Sequence, residues 1–211
     1  MGCDIHVYTE ARQSVNGNKV WVNVDNWRVN PYFGDDEYEK REYNIEAIYS
    51  DRNYELFSFL AGVRNYGHNP SFGFDRGLPE DMSPQTKKEA DAWDCDGHTH
   101  GWCTLEELKA AIKDIAVVKR EGAVTKEAAE KYRTTGETPD SWAQGVGCFV
   151  GIAPDYKDRF EWLQWEDEPC CFDRLIKAIE ERKRDVFWIF DEKRDDYSKD
   201  KDIRIVFWFD N

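Results

Sequence analysis

Apolar residues recur with a period of two at the start of this chain and with a period near 3.6 through its middle. From Cys3 to Glu10, the residues Cys3, Ile5 and Val7 alternate with Asp4, His6, Tyr8 and Glu10, which predicts a strand with one apolar and one polar face. Val20, Val22 and Val24 alternate likewise with Trp21, Asn23 and Asp25. Asn16-Gly17-Asn18 between the two runs tolerates positive φ, so they are expected to form a β-hairpin. A Pro-, Gly- and acid-rich stretch from Asn30 to Arg41 reads as an exposed loop.

Helical spacing begins at Tyr54, Phe57, Leu60 and Ala61, with Asp51 or Asn53 as cap and Gly62 as stop. Ser83-Pro84 opens a helix over 84–93. Thr104-Leu105-Glu106-Glu107 is a capping box ahead of the stripe Leu105, Leu108, Ile112 and Ile115. A weaker helix over 125–133, a connection over 134–147 and a short strand over 148–152 follow. Phe172, Leu175, Ile176 and Ile179 predict a further helix, preceded by Cys170-Cys171 and followed by an Arg/Lys-rich tail. Val186 to Asp191 and Ile203 to Asp210 are rich in aromatic and β-branched residues and read as a closing hairpin around a charged stretch.

These elements predict an α+β fold: a mostly antiparallel sheet from N- and C-terminal hairpins, with the helices packed on one side. The 211 residues, 40% of them hydrophobic, suffice for a single domain over 1–211. The apolar runs are too short to span a bilayer, and no basic segment leads an apolar one at the N-terminus, so no membrane association and a cytoplasmic location are expected. Cysteines at 3, 95, 103, 148, 170 and 171 lack the spacing of a disulfide framework and are expected to be reduced.

Charge narrows the partners. Twenty-nine basic residues against forty-three acidic ones leave a net −14, which argues against a general nucleic-acid-binding surface. A cation, a small molecule or a host protein remains, the last with the acidity acting as a nucleic-acid mimic.

The densest chemistry lies between Trp93 and Cys103, which holds two of the four histidines and two of the six cysteines on an expected helix-to-helix loop. His98 and His100, joined by Asp4 and His6 from the first strand, form a candidate site for a divalent metal (Zn or Mn) with open positions for water or a phosphate oxygen. Asp96 is placed to orient an imidazole or act as a base. Arg64 and Arg76, on a long loop over 64–81, are candidates to hold an anionic substrate. A closed structural zinc site from Cys95, His98, His100 and Cys103 is the alternative, and Cys3 or Cys148 with His6 is a candidate nucleophile pair. Gly145-Val146-Gly147 lacks the lysine of a phosphate loop, and no Gly-x-Ser-x-Gly elbow occurs.

Met1-Gly2-Cys3-Asp4-Ile5-His6, Asp96-Gly97-His98-Thr99-His100 and Arg76-Gly77-Leu78-Pro79-Glu80-Asp81 together resemble a group of small proteins of phage and bacterial genomes, which implies a phage or prophage setting. Asp4-Ile5-His6 and Gly97-His98-Thr99-His100 also resemble the first and last motifs of calcineurin-like metallophosphoesterases, where they supply ligands to a two-metal centre. That resemblance implies metal ligation by Asp4, His6, His98 and His100. The two intermediate motifs of that family do not occur, and Asn65-Tyr66-Gly67-His68-Asn69 stands roughly where one would fall. The expected function is a metal-dependent hydrolase of a phosphoester or nucleotide, phage-associated; the alternative is an acidic inhibitor or ligand-sequestering protein that blocks a host factor.

Overall fold

The Asn16-Gly17 turn has φ of 51° and 81°, as a two-residue hairpin of type I′ requires, and it joins β1 (Asp4–Val15) to β2 (Asn18–Asn23). The structure is a computed structural model that describes residues 2–34, 42–143, 158–190 and 197–210. It is α+β and mostly antiparallel, as the sequence predicts. The chain divides into two units, each built from separate stretches: Met1–Arg52, Gly73–Ile112 and Phe172–Asn211 form one, Asn53–Phe72 and Lys113–Cys171 the other.

The first unit is organised on a four-stranded sheet. Ile203–Asp210 (β8) inserts between β1 and His98–Thr104 (β5), giving the order β2-β1-β8-β5 with every neighbour antiparallel. Every residue of β8 from Ile203 to Phe209 is buried. A central strand covered on both faces needs apolar side chains at both parities, and Ile-Arg-Ile-Val-Phe-Trp-Phe supplies them except at Arg204. Helix α2 (Pro84–Trp93), opened by Ser83 accepting from the Thr86 N–H at 3.2 Å, packs Ala90 against Tyr8, Val206 and Trp208 on one face. Val7, Phe207 and Phe209 are equally buried on the other. Both faces of the central strand are thus covered.

The expected C-terminal hairpin is also corrected. Val186 to Phe190 continue one helix over Asp173–Phe190. Its spacing of apolar residues runs on from Ile179 through Val186 and Phe187, with no Gly or Pro to stop it, so propagation of the helix prevails over local β propensity. The partner that β8 lacks in sequence is β1, almost the whole chain away. Two further strands in this unit, β3 (Asn26–Val29) and β4 (Tyr43–Glu46), pair as a ribbon that the sequence pattern does not announce. Helix α3 (Leu105–Ile112) starts on the expected capping box: Glu107 Oε2 accepts from the Thr104 N–H at 2.8 Å, and Thr104 Oγ1 from the Glu107 N–H at 3.1 Å. Ile115 falls beyond its end.

The second unit holds α1 (Tyr54–Ala61), capped by Asn53 and stopped by Gly62 at φ 69°. It also holds an antiparallel pair, β6 (Val118–Thr125) and β7 (Phe160–Asp167), with α4 (Lys126–Thr135) between them in sequence. Val124, Ala129, Leu163 and Trp165 form its core, and Arg120 joins Glu55 to Asp167 in a nearly buried ion-pair cluster. The strand expected over 148–152, with Cys148, lies outside the described residues. No helix among the described residues is long and apolar enough to cross a membrane. The helix Asp173–Phe190 is called α5.

Candidate functional site

One polar row runs along β1, through Asp4, His6, Tyr8 and Glu10, and meets a second row on β8, through Asp210, Trp208, Val206 and Arg204. Period-two alternation and antiparallel register place both rows on the same face of the sheet. The two ends of this face differ in chemistry.

At one end Glu10 and Arg204 form a buried pair. Arg204 donates from Nε to Glu10 Oε2 at 2.9 Å and from Nη1 to Asp81 Oδ1 at 2.8 Å, while Glu10 Oε1 accepts from the Ser83 N–H at 2.7 Å. The guanidinium lies 4.0 Å from the Trp21 ring and 5.5 Å from that of Trp102. Glu10 is thus a core residue, although alternation in sequence puts it on the polar face.

At the other end His6 is enclosed by aromatic rings. Its imidazole lies 4.0 Å from the Trp93 ring and 5.9 Å from that of Trp208, while Tyr8 stacks on Trp208 at 5.0 Å. His6 Nε2 is buried with no hydrogen-bond donor or acceptor in bonding geometry, and Asp210 Oδ2 lies 3.4 Å from it. The other oxygen of Asp210 accepts from the Asp4 N–H at 3.0 Å, which fixes the carboxylate. Trp208 is fully buried, and its Nε1–H also lacks a partner. Buried polar atoms are nearly always satisfied, so unpartnered atoms on two neighbouring rings make this end a candidate site.

Asp4, the first residue of the Asp-x-His motif, is already occupied: Arg52 donates to its two oxygens at 2.7 and 2.6 Å. That hydrogen bonding holds the Asp4 carboxyl below its ordinary pKa. His98 and His100 are not on a helix-to-helix loop. A 3-10 turn over Asp94–Asp96 leads directly into β5, and both histidines are strand residues.

A strand should turn His98 and His100 to the same face. The pairing instead shifts by one residue between His98, opposite Phe209, and Gly101, opposite Phe207. Thr99, at the shift, has φ 52°, which is rare for a β-branched residue and costs about 1–3 kcal/mol. This bulge splits the His-x-His pair. His98 stacks on Phe209 at 6.1 Å, whereas His100 lies 6.1 Å from Trp208, and these two β8 residues face opposite ways. His98 Nδ1 is 2.8 Å from Thr99 Oγ1, and its Nε2 is buried without a partner. Burial, then the neighbouring His98, lower the pKa of His100 and favour its neutral form.

The motif ends Asp4-x-His6 and His98-x-His100 therefore flank β8 from opposite sides. Strands two apart stand about 9–10 Å from each other. His6 and His100 share a face with Trp208 between them, and His98 is on the reverse face. Gly97 lets this end close, because a Cβ there would meet Trp93 Cβ at 3.2 Å, Trp208 Cδ1 at 3.3 Å and His100 Nε2 at 3.5 Å. Among the described residues, no three or more His, Cys, Asp and Glu side chains gather as a metal cluster.

The remaining candidates separate. Asp96 is exposed on the 3-10 turn, and no hydrogen bond links it to either imidazole. Arg76 pairs with both oxygens of Glu107 at 2.9 and 2.8 Å, donates to the Trp102 carbonyl and stacks 3.6 Å from the Trp102 ring, so it clamps its own loop. Arg64 belongs to the second unit, where it lines a small pocket with Tyr54, Tyr66 and Arg120. Cys95 is exposed while Cys103 is buried opposite Ile205, and burial pushes the Cys103 thiol up, away from the thiolate a zinc site needs. Cys3 is buried with Sγ near its neighbour's carbonyl, and Cys148 lies outside the described residues.

Sequence reasoning missed Asp210, Trp208, Trp93 and Arg52. Trp93 and Asp210 are visible as residue types at element ends, but only the β1–β8 register brings Asp210 to His6. Comparison of the chain with family models, with curated proteins and with solved structures finds no match in any of the three.

Proposed function

We propose that this chain is a metal-dependent hydrolase of a phosphoester or nucleotide, in a phage or prophage setting, with its centre at His6 and Asp210. The observation that carries the reading is the 3.4 Å separation between His6 Nε2, buried and without another partner, and Asp210 Oδ2. Two ligands of a tetrahedral ion with bonds of about 2.1 Å stand about 3.4 Å apart, so the pair fits two corners and leaves the others open. The motif-derived set fits less well: Arg52 engages both Asp4 oxygens, and the His98 and His100 rings face opposite ways across β8.

A divalent cation on this pair supplies Lewis-acid polarisation of a phosphoryl oxygen and a more acidic bound water. The chain's own groups do the rest. Asp210 Oδ1 accepts from the Asp4 N–H, which aims Oδ2 at the position the ion would share with His6 Nε2. Trp93 and Trp208 wall the imidazole from water and provide ring faces on which a base can stack. Neutral His100 accepts a proton beside Trp208.

The test is a Mn2+ titration followed by electron paramagnetic resonance, with parallel turnover assays on nucleotides and bis-aryl phosphodiesters. Binding and turnover that vanish in His6→Ala and Asp210→Asn, and survive in His98→Ala, support the assignment. Binding that survives in both His6→Ala and Asp210→Asn overturns the centre. Absence of both binding and turnover in the parent chain overturns the hydrolase and returns the acidic binding role.

A further inference from the structure

The β3–β4 ribbon has one apolar face, and most of it is bare. Its register sets Trp27 opposite Ile45 and Val29 opposite Tyr43, so these four share a face, while Asn26, Arg28, Asn44 and Glu46 share the other. Ile45 is partly covered, since it packs against the cluster of Tyr8, Ala90, Val206 and Trp208. The other end is not: Trp27 and Tyr43 are each 44% exposed, Val29 69%, and Tyr32 and Phe33 just beyond the strand 68% and 52%. A two-stranded ribbon is marginal in water on its own, and a contiguous exposed apolar patch of this kind marks an interaction surface.

The patch opens into a groove of about 340 Å3 within the first unit. Trp27, Phe33 and Tyr43 are its aromatic walls, and Glu42 and Glu89 bring carboxylates to it against one Lys88. The Trp27 ring is held in place, for its Nε1–H donates to Asn23 Oδ1 at 2.9 Å and it lies 6.2 Å from the Tyr43 ring at 50°. Three ring faces carry negative quadrupoles, two carboxylates add charge, and the chain as a whole stands at −14. Every one of these terms favours a cation.

We propose that this groove is a docking site for an arginine side chain presented by a protein partner. A guanidinium stacks on a ring and engages a carboxylate in two parallel hydrogen bonds, which ammonium groups cannot do. A protein source follows from the shape of the patch: a free cation fills the groove and leaves Val29 and Tyr32 bare, whereas a peptide continues over them. A second copy of this chain is disfavoured by its like charge. The site shares no residue with the His6–Asp210 centre.

The test selects a randomised hexapeptide library on the intact chain, on Trp27→Leu and on Glu42→Gln/Glu89→Gln. Glu42→Gln/Glu89→Gln keeps the side-chain volume, Trp27→Leu keeps an apolar side chain without the ring, and circular dichroism checks the fold of both. The enriched peptide is then titrated beside its citrulline isostere, which has the same shape without the charge, and beside tetramethylammonium. We expect arginine flanked by apolar residues to be enriched, the citrulline peptide to bind at least about tenfold more weakly, and each variant to bind about three- to thirtyfold more weakly. Four outcomes overturn the proposal: no enrichment, enrichment without arginine, equal binding of the citrulline peptide, or tetramethylammonium binding as tightly as the peptide.

Discussion

Glu10 with Arg204 and His6 with Trp208 are two cross-strand pairs of the same two strands, on the same face, four residues apart along β1. At the first, each carboxylate oxygen has its donor and the guanidinium is stacked between indoles. At the second, an imidazole nitrogen and an indole N–H are buried outside hydrogen-bonding geometry, the imidazole 3.4 Å from Asp210 Oδ2. Both Glu10 oxygens are bonded, and Arg204 Nη2, although outside hydrogen-bond geometry, stays 2.8 Å from Glu10 Oε2, so this buried ion pair reads as structural. The second end tolerates unmet polar groups at a cost to stability, which is how a site kept for a ligand behaves. The difference teaches that polar residues on one strand face are sorted by their partners and not by their position in the pattern.

The largest expected effect lies at the satisfied end. Glu10→Ala leaves the Arg204 charge buried without its main partner and should cost about 3–5 kcal/mol in urea unfolding, whereas His6→Ala should cost about 1–2 kcal/mol. Equal losses at both ends would erase the contrast. Next is the bulge side of β5, where a Gly101 side chain would meet the Phe74 carbonyl oxygen at 2.3 Å and Phe207 Cζ at 2.6 Å. Gly101→Ala should destabilise the chain by about 2–3 kcal/mol, read from the same unfolding curves.

An effect of similar or smaller size comes from Asp25, a buried carboxylate outside both ends. It accepts from the Thr9 N–H at 3.1 and 3.0 Å and from Asn23 at 2.9 Å, yet burial raises its pKa from 3.8 to about 6. The folded state therefore holds this proton more tightly than the unfolded one. The contribution to stability is complete below pH about 4 and is lost as pH rises through about 6, a change of about 2–3 kcal/mol. Asp25→Asn should flatten that part of the stability–pH curve; an unchanged slope would show that another group sets it. The smallest effect is at His100, whose imidazole should titrate below 6.5 by NMR, and whose pKa should rise in His98→Ala as the neighbouring charge is removed.

Local signals were legible wherever a short stretch carries its own physics. The Asn16-Gly17 hairpin, the Asn53 and Ser83 caps and the Thr104–Glu107 box all appear where the sequence puts them. Long-range pairing was not. β8 finds its partner in β1 through a register that no local pattern encodes, so the closing hairpin and the role of Asp210 were both out of reach. Val186 to Phe190 form a helix end where a strand is expected because an apolar helix end and a strand share the same composition. His98-x-His100 misled for a different reason. Its two-residue spacing is a strand signal, and one extra residue at Thr99 reverses it. The weakly patterned β3, β4 and β6 gave little warning, though the alternation of Leu163 and Trp165 with Gln164 and Glu166 was there to be read in β7.

The central claim is that the unsatisfied end of the β1–β8 pair holds a metal, and metal content tests it most directly. Elemental mass spectrometry would be run on chain purified without added metal and after equilibration with Zn2+ or Mn2+, beside His6→Ala/Asp210→Asn and His98→Ala. The account predicts close to one ion per chain in the parent and in His98→Ala, and none in the double variant. An equal metal content in the double variant, or none in any chain after equilibration, would contradict it.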